Sequence, residues 1–403
     1  MTSQTERRGE HGDTTPTAHG FAPGPEYERR AEIDLSAIRD NVKRVIELAA
    51  PATVMAVLKA DAYGHGVLPV AAAALQAGAG WLGFAHISEA LVVRDAGITA
   101  PTLAWLHTTD APFAEAIARN IDLGVSGWEL DYIAAAAKQA ERPARVHLKI
   151  DTGLGRNGCP PAQWERLLGA AAEYQEAGLL RVVGVFTHLA VADEPDRGET
   201  DAQLELFREA VSLAEDAGFD LEVRHAANTP AILSRPDAHF DLVRLGLGMY
   251  GLSPFADQTS RQLGLRPAMR LVARVANVKE VPAGQGVSYG LTYRTAEATT
   301  LALIPMGYGD GVPRSAVEGP VLIGGRKLPS RGRIAMDQFV VDLGDVPDPA
   351  ALVGTEAVLF GGEGPSADEW AAAAGTINYE IVTRISPRVP RLYVEGSWGP
   401  KDV

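Results

Sequence analysis

An amine held against apolar residues loses its proton more readily than one in water, so a lysine closing an apolar run is a candidate nucleophile toward a carbonyl. Lys59 stands in that position, directly after Val54, Met55, Ala56, Val57 and Leu58. A lysine at a strand end ordinarily lays its stem on the surface and leaves its ammonium in solvent, so Lys59 gains meaning only from its company. That company is Tyr63, Arg156, His188, Asn228, Thr229 and Arg244, each at or just beyond a short apolar or β-branched run. A guanidinium fork suits a carboxylate, and hydroxyls and backbone amides suit an anion. Singly, each residue has an ordinary reading as a surface arginine, a packed histidine or a turn residue.

The elements that would position them follow from periodicity. Between about 31 and 252, short β-branched or apolar runs alternate with alanine-rich helical patterns, as parallel strands and crossover helices do. Candidate strands are 53–58, 81–85, 102–106, 122–125, 145–150, 182–187, 222–226 and 242–245. Helical patterns such as 67–76, 89–95, 129–139, 162–174 and 201–217 fall between them. Eight such units in roughly 220 residues suit a (β/α)₈ TIM-type barrel; a doubly wound open sheet is the alternative that the pattern leaves open. In a barrel, catalytic groups sit on the loops after the strands, which is where Lys59, Arg156, His188, Asn228 and Arg244 lie.

After about Ser253 the texture changes to strands at 271–281, 301–305, 320–323 and 339–343, separated by Gly and Pro turns. The expected organisation is a disordered extension at 1–28, a barrel at 29–260, a smaller mainly β domain at 261–395 and a tail at 396–403. The residues before 26 are polar and lack an apolar core for a signal peptide, and no apolar run is long enough to span a bilayer. The single cysteine, Cys159, cannot form an internal disulfide, and the formal charge of -14 disfavours nucleic acid or anionic lipid as partner. A cytoplasmic protein acting on a small metabolite is expected, with no metal.

The run Lys59-Ala60-Asp61-Ala62-Tyr63-Gly64-His65-Gly66 resembles the cofactor-lysine motif of alanine racemases, a fold type III pyridoxal-phosphate family. Further segments match in order. Lys149-Ile150-Asp151-Thr152-Gly153-Leu154-Gly155-Arg156 resembles the segment whose arginine binds the substrate carboxylate, steadied by a lysine that is often carbamylated. His188 resembles the histidine that stacks on the pyridine ring. Asn228-Thr229, the run from Arg244 to Gly251 and Asn378-Tyr379-Glu380 resemble cofactor-anchoring segments. Ser288-Tyr289-Gly290 resembles the second-base motif, Gly307-Tyr308-Gly309 the entrance segment, and Arg333-Ile334-Ala335-Met336-Asp337-Gln338 a loop that reaches the substrate. Ala335 stands where many relatives carry cysteine, and Asp61 where many carry asparagine. Two fits to the dinucleotide pattern, at Gly153-x-Gly155-x-x-Gly158 and Gly246-x-Gly248-x-x-Gly251, show how little that pattern means in a chain with 42 glycines.

The resemblance implies racemisation of L- and D-alanine with pyridoxal 5'-phosphate, supplying D-alanine for peptidoglycan. Lys59 and Tyr289 would be the catalytic bases on opposite faces of the substrate. Lys59, Tyr63, His188, Asn228, Thr229, Arg244, Gly246, Leu247 and Tyr379 would hold the cofactor, with Arg244 donating to its pyridine nitrogen. Arg156 and Met336 would meet the substrate, supported by Lys149, Asp337 and Tyr308. It also implies a head-to-tail homodimer whose sites are shared between subunits. The competing readings are a racemase of broader specificity, a decarboxylase of the same fold, and a non-catalytic pyridoxal-phosphate-binding protein. Arg244 and Arg156 disfavour the decarboxylase, since such enzymes usually set an acid at the pyridine nitrogen.

Overall fold

A computed structural model describes residues 27–396; the remainder of the expected N-terminal extension and C-terminal tail lies outside the described residues. The chain begins with β1 (Arg29–Asp34) and a helix at Leu35–Ala49. Asp34 caps that helix, its carboxylate accepting from the N–H groups of Ser36 and Ala37 at 2.9 and 3.2 Å. Its buried face follows the helical period through Ile38, Val42, Val45 and Ala49.

Eight parallel strands follow: β2 (Thr53–Val57), β3 (Trp81–Phe84), β4 (Thr102–Ala104), β5 (Asp122–Val125), β6 (Ala144–Lys149), β7 (Leu180–Phe186), β8 (Val223–His225) and β9 (Leu242–Leu245). They pair in chain order from β2 to β8, and β9 pairs with β2. The ring closes where Asp241 N–H donates to Arg224 O at 3.1 Å and Arg244 N–H to Ala227 O at 2.9 Å. An open doubly wound sheet would have two free edges, so the barrel is the observed alternative. Strands buried on both faces read as unbroken apolar runs, and for that reason the sequence shows them clearly.

The second sheet has nine strands. Its members are β1, β10 (Met269–Arg274), β11 (Asn277–Val281), β14 (Thr299–Ile304), β15 (Pro320–Ile323), β16 (Arg326–Arg331), β17 (Phe339–Gly344), β18 (Glu356–Phe360) and β19 (Arg391–Val394). A separate two-stranded hairpin, β12 (Gly286–Val287) with β13 (Tyr293–Arg294), precedes β14. The sequence reading lacked β16, β18, β19 and the hairpin, and the structure departs from it in two further places. The run 271–281 is two strands: β10 lies between β1 and β18, whereas β11 is an edge strand on β14. No Gly or Pro marks the corner at Val275 and Ala276, so periodicity alone runs through it. Likewise β1, at the head of the chain, pairs antiparallel with β10 and parallel with β19 and so belongs to the second sheet. Both layers share one contiguous apolar core, and Met55, Trp81, Leu103 and Leu242 form a smaller separate cluster on the barrel strands.

Candidate active site

Lys59 opens a left-handed turn. Ala60, Asp61, Ala62 and Tyr63 all have φ between 52° and 54°, with ψ from 38° to 51°. Each L-residue in that conformation costs about 1–2 kcal/mol, so the turn persists only because its surroundings hold it. Glu89 accepts from Ala60 N–H at 2.6 Å and from Ala85 and His86 N–H at 3.1 and 3.0 Å. Asp61 accepts from Val67 N–H at 2.7 Å, a structural duty for the residue that departs from the family's usual asparagine. The His65 ring donates from Nδ1 to the carbonyls of Tyr63 and Ala62. Glu89→Ala would leave three partly or largely exposed backbone donors to water in place of a charged acceptor, a net loss of about 0.5–1.5 kcal/mol each. The expected result is a lower unfolding midpoint in urea and weaker cofactor retention, with Glu89→Gln closer to wild type; equal midpoints for Glu89→Ala and wild type would remove the clamp.

The turn aims side chains into the mouth of the barrel. Burial lowers the pKa of the Lys59 ammonium, the nearby charge of Arg156 lowers it further, and Glu89 opposes both. Lys149, at the end of β6, is buried 5.4 Å from the Phe186 ring, and burial together with Arg244 and Arg156 brings its pKa down to about 8. His188 is kept neutral well below its usual range by burial and by Arg244, Arg156 and both lysines. Tyr63 packs against Tyr250 at 4.6 Å and Tyr379 at 6.3 Å between ring centroids. Burial raises the pKa of both Tyr63 and Tyr379, the latter to about 12, so each presents a neutral hydroxyl. Tyr379 comes from the second layer on the short helix Asn378–Thr383, tied to the barrel by Asn378 Nδ2 donating to Ser253 O at 2.8 Å.

Beyond β9, Gly246 and Gly248 donate their N–H groups to Thr229 Oγ1 at 3.1 and 3.3 Å. A Cβ at Gly246 would sit 2.7 Å from Tyr63 Oη, so only glycine leaves the space between the two hydroxyls and the start of the Leu247–Tyr250 turn. Arg244 is buried, and burial alone draws its pKa to about 10. A lysine with a depressed pKa, a hydroxyl-lined cradle suited to a phosphate and a fixed guanidinium together match what pyridoxal phosphate requires. The residues present therefore fit that group. A cleft of about 1240 Å³ continues outward past Arg156, His188, Asn228 and Tyr379.

One chain thus brings together Lys59, Tyr63, Lys149, Arg156, His188, Asn228, Thr229, Arg244, Gly246, Leu247 and Tyr379 at the end of the barrel and its border. Tyr289, Tyr308, Met336 and Asp337 form a second group in the β layer. Tyr289 lies between β12 and β13 and is 71% exposed; among the described residues it makes no hydrogen bond and no ring contact with the barrel group. Ser288 Oγ donates to Arg333 O at 2.5 Å, which ties that hairpin to the loop carrying Met336 and Asp337. Tyr308 N–H donates to Ala335 O at 3.0 Å, and Asp337 accepts from Arg388 at 2.8 Å. The sequence reading overlooked Glu89 and a buried pair, His147 and His225, and gave Tyr250 no role beyond its place in the run from Arg244 to Gly251. His147 could have been found, because strand alternation puts Arg145, His147 and Lys149 on one face of β6.

Comparison with known proteins agrees with this geometry. The family model described as alanine racemase, N-terminal domain, matches residues 33–254, and the model of its C-terminal domain matches 268–393. The chain is 54% identical to the alanine racemase of Beutenbergia cavernae over 376 residues, covering 92% of this chain and 99% of that one. It is 55% identical to the alanine racemase of Streptomyces coelicolor over 378 residues, 91% of this chain and 95% of the relative. Among solved structures, the alanine racemase of Streptomyces lavendulae superposes with a TM-score of 0.89 at 53% identity, covering 91% and 97% of the two chains. With both family models matched in order and nearly the whole length shared with these relatives, the chain belongs to the alanine racemase family of pyridoxal 5'-phosphate enzymes.

Proposed function

We propose that the protein interconverts L- and D-alanine through two opposed bases, Lys59 and Tyr289, and so supplies D-alanine for peptidoglycan in the cytoplasm. The observation that carries this reading is the depressed pKa of Lys59 in a mouth that also holds Arg156 and the cradle at Gly246. Pyridoxal phosphate, when bound, joins the substrate amine and spreads the charge left behind as the α-proton departs. Lys59 would link the cofactor and, once freed by substrate, take or give a proton at the α-carbon from one face. The Tyr289 phenol would serve the other face. Arg156 would grip the substrate carboxylate as a fork, steadied by Lys149, with Met336 and Asp337 beside the substrate and Tyr308 at the entrance.

Tyr63, Thr229, Tyr379 and the N–H groups near Gly246 and Leu247 would hold the phosphate, with Asn228 beside them. His188 would lie against the ring, and Arg244 would offer an N–H to its nitrogen. A guanidinium hardly gives up a proton, so it leaves that nitrogen unprotonated and disfavours side reactions that need a stronger electron sink. We assign residues 29–260 to the barrel and 261–395 to the β domain, with the strand at 29–34 lent to the latter's sheet. Because Tyr289 is exposed and apart from Lys59 within one chain, the working unit is a head-to-tail homodimer in which each barrel meets the partner's Tyr289. No helix among the described residues is long and apolar enough to cross a membrane.

The test is a chiral assay of the purified, cofactor-loaded protein against a panel of L-amino acids. Conversion of alanine well above all others is expected. Bound cofactor without racemisation of any amino acid would instead support a binding protein, and comparable rates across the panel a racemase of broad specificity.

A further inference from the structure

The barrel interior, which packing alone would fill with apolar side chains, contains an unbroken line of polar groups beneath the site. Asp122, the first residue of β5, accepts from Arg145 Nε at 3.0 Å and faces His147 Nε2 at 3.2 Å. The other nitrogen of His147, Nδ1, lies 3.0 Å from His225 Nε2, and His225 Nδ1 lies 3.0 Å from Arg244 Nη1. Both histidines are wholly buried, as the absence of a side chain at Gly184 permits: a Cβ there would stand 2.6 Å from His147 Nδ1. Phe186 stacks flat on His225 with ring centroids 4.8 Å apart.

The chemistry of the two ends dictates the polarity of the middle. A carboxylate only accepts, so His147 carries its proton on Nε2 and turns a lone pair at Nδ1 toward His225. His225 must then donate from Nε2, which leaves a lone pair at Nδ1 facing the guanidinium. A guanidinium only donates, so the far end requires the same orientation. The remaining terminal hydrogens of Arg244 go to the carbonyls of His225, Thr187 and Ala226 at 2.9, 2.7 and 3.0 Å, with His188 Nδ1 also 3.3 Å from Nη2. Among the described residues no acceptor meets its Nε–H.

We propose that Asp122 is a remote positioning residue for the cofactor site: through His147 and His225 it fixes the imidazole tautomers that hold Arg244 with its Nε–H uncommitted. The carboxylate itself is held at the opposite end of the barrel by Arg145, which also pairs with Glu222. Burial and the neighbouring cations keep His225 neutral, as a relay of this polarity demands. Replacing the carboxylate by an amide of the same shape permits the opposite orientation, which would turn a His225 Nδ1–H against the Arg244 N–H groups. An error of tautomer with the geometry otherwise intact is costly at catalytic histidines. The cofactor part of this inference rests on Arg244 facing the pyridine nitrogen, as in the functional reading above.

Nitrogen NMR of the full-length, cofactor-loaded protein labelled in histidine is the test. Wild type is expected to show both His147 and His225 protonated on Nε2. Asp122→Asn should mix the tautomers at both rings and alter the visible spectrum of the bound cofactor. It should also lower kcat by about 10- to 100-fold, the size seen when an outer partner of a site histidine is lost, with little change in KM. Asp122→Glu should recover part of both signals. A proton on Nδ1 of His225 in wild type overturns the proposal, even if Asp122→Asn fails to fold. So does a folded Asp122→Asn with mixed tautomers but unchanged spectrum and kcat. Arg244→Lys separates the two readings: an unaltered cofactor spectrum there removes Arg244 from the cofactor, whereas wrong wild-type tautomers remove only the relay.

Discussion

Lys59→Ala is expected to lose both the visible absorbance of the lysine-linked cofactor and racemisation, the latter by more than about 10⁴-fold, because one side chain would supply both the covalent link and a base. The rival is Lys149, the other amine of depressed pKa in the same mouth. It is only 6% exposed, lies against Phe186 and has its ammonium disfavoured by both Arg244 and Arg156. Lys59 begins the turn after β2 and is more open, so an incoming carbonyl reaches it first. Borohydride reduction of the loaded wild type, which makes the link permanent, followed by peptide mapping should place the cofactor on Lys59. Label on Lys149, or retained absorbance in Lys59→Ala, would overturn the assignment.

The barrel was legible because parallel strands buried on both sides leave continuous apolar runs that sequence displays directly. Five of those strands bear a group at or beside their C-terminal end that the sequence reading could place together only if they closed into a ring; the bonds from Asp241 to Arg224 and from Arg244 to Ala227 supply that closure. The β layer was less legible. Two of its strands meet at a corner without Gly or Pro, and β1 is separated by more than 200 residues from its partner β10. Long-range pairing leaves no local periodic mark.

The chemistry divides in the same way. Lys59, His188 and Arg244 could be read because each interrupts or closely follows an apolar run, and Arg156 because it lies in the loop after one. Glu89 could not, since a glutamate near a helix start reads as an ordinary cap, and only the fold brings its carboxylate to Ala60. Nor could the left-handed turn be foreseen: Ala60 and Ala62 are good formers of right-handed helix, and local preference is overridden there by the clamp around them. A strained turn at the cofactor lysine is where local rules are expected to fail, because function, and not propensity, selects the conformation.

The second large effect concerns assembly. Within one chain the exposed hairpin carrying Tyr289 and the loop carrying Met336 belong to a surface separate from the barrel mouth, and large exposed aromatic and apolar side chains of this kind mark interfaces. If each barrel receives the partner's Tyr289, Lys59→Ala and Tyr289→Ala proteins are both inactive, but for different halves of every site. Unfolding or dissociating the two, mixing them equally and letting them reassociate should give mixed dimers in about half of the population. Each mixed dimer has one site with Lys59 and Tyr289 both present and one lacking both, so activity should return to about a quarter of wild type. A protein that places both residues in one chain's own site offers no such rescue, since every site then lacks one of them in every dimer. Activity that stays at the level of the separate variants, in a mixture shown by mass to contain mixed dimers, would therefore place Lys59 and Tyr289 in the same chain's site.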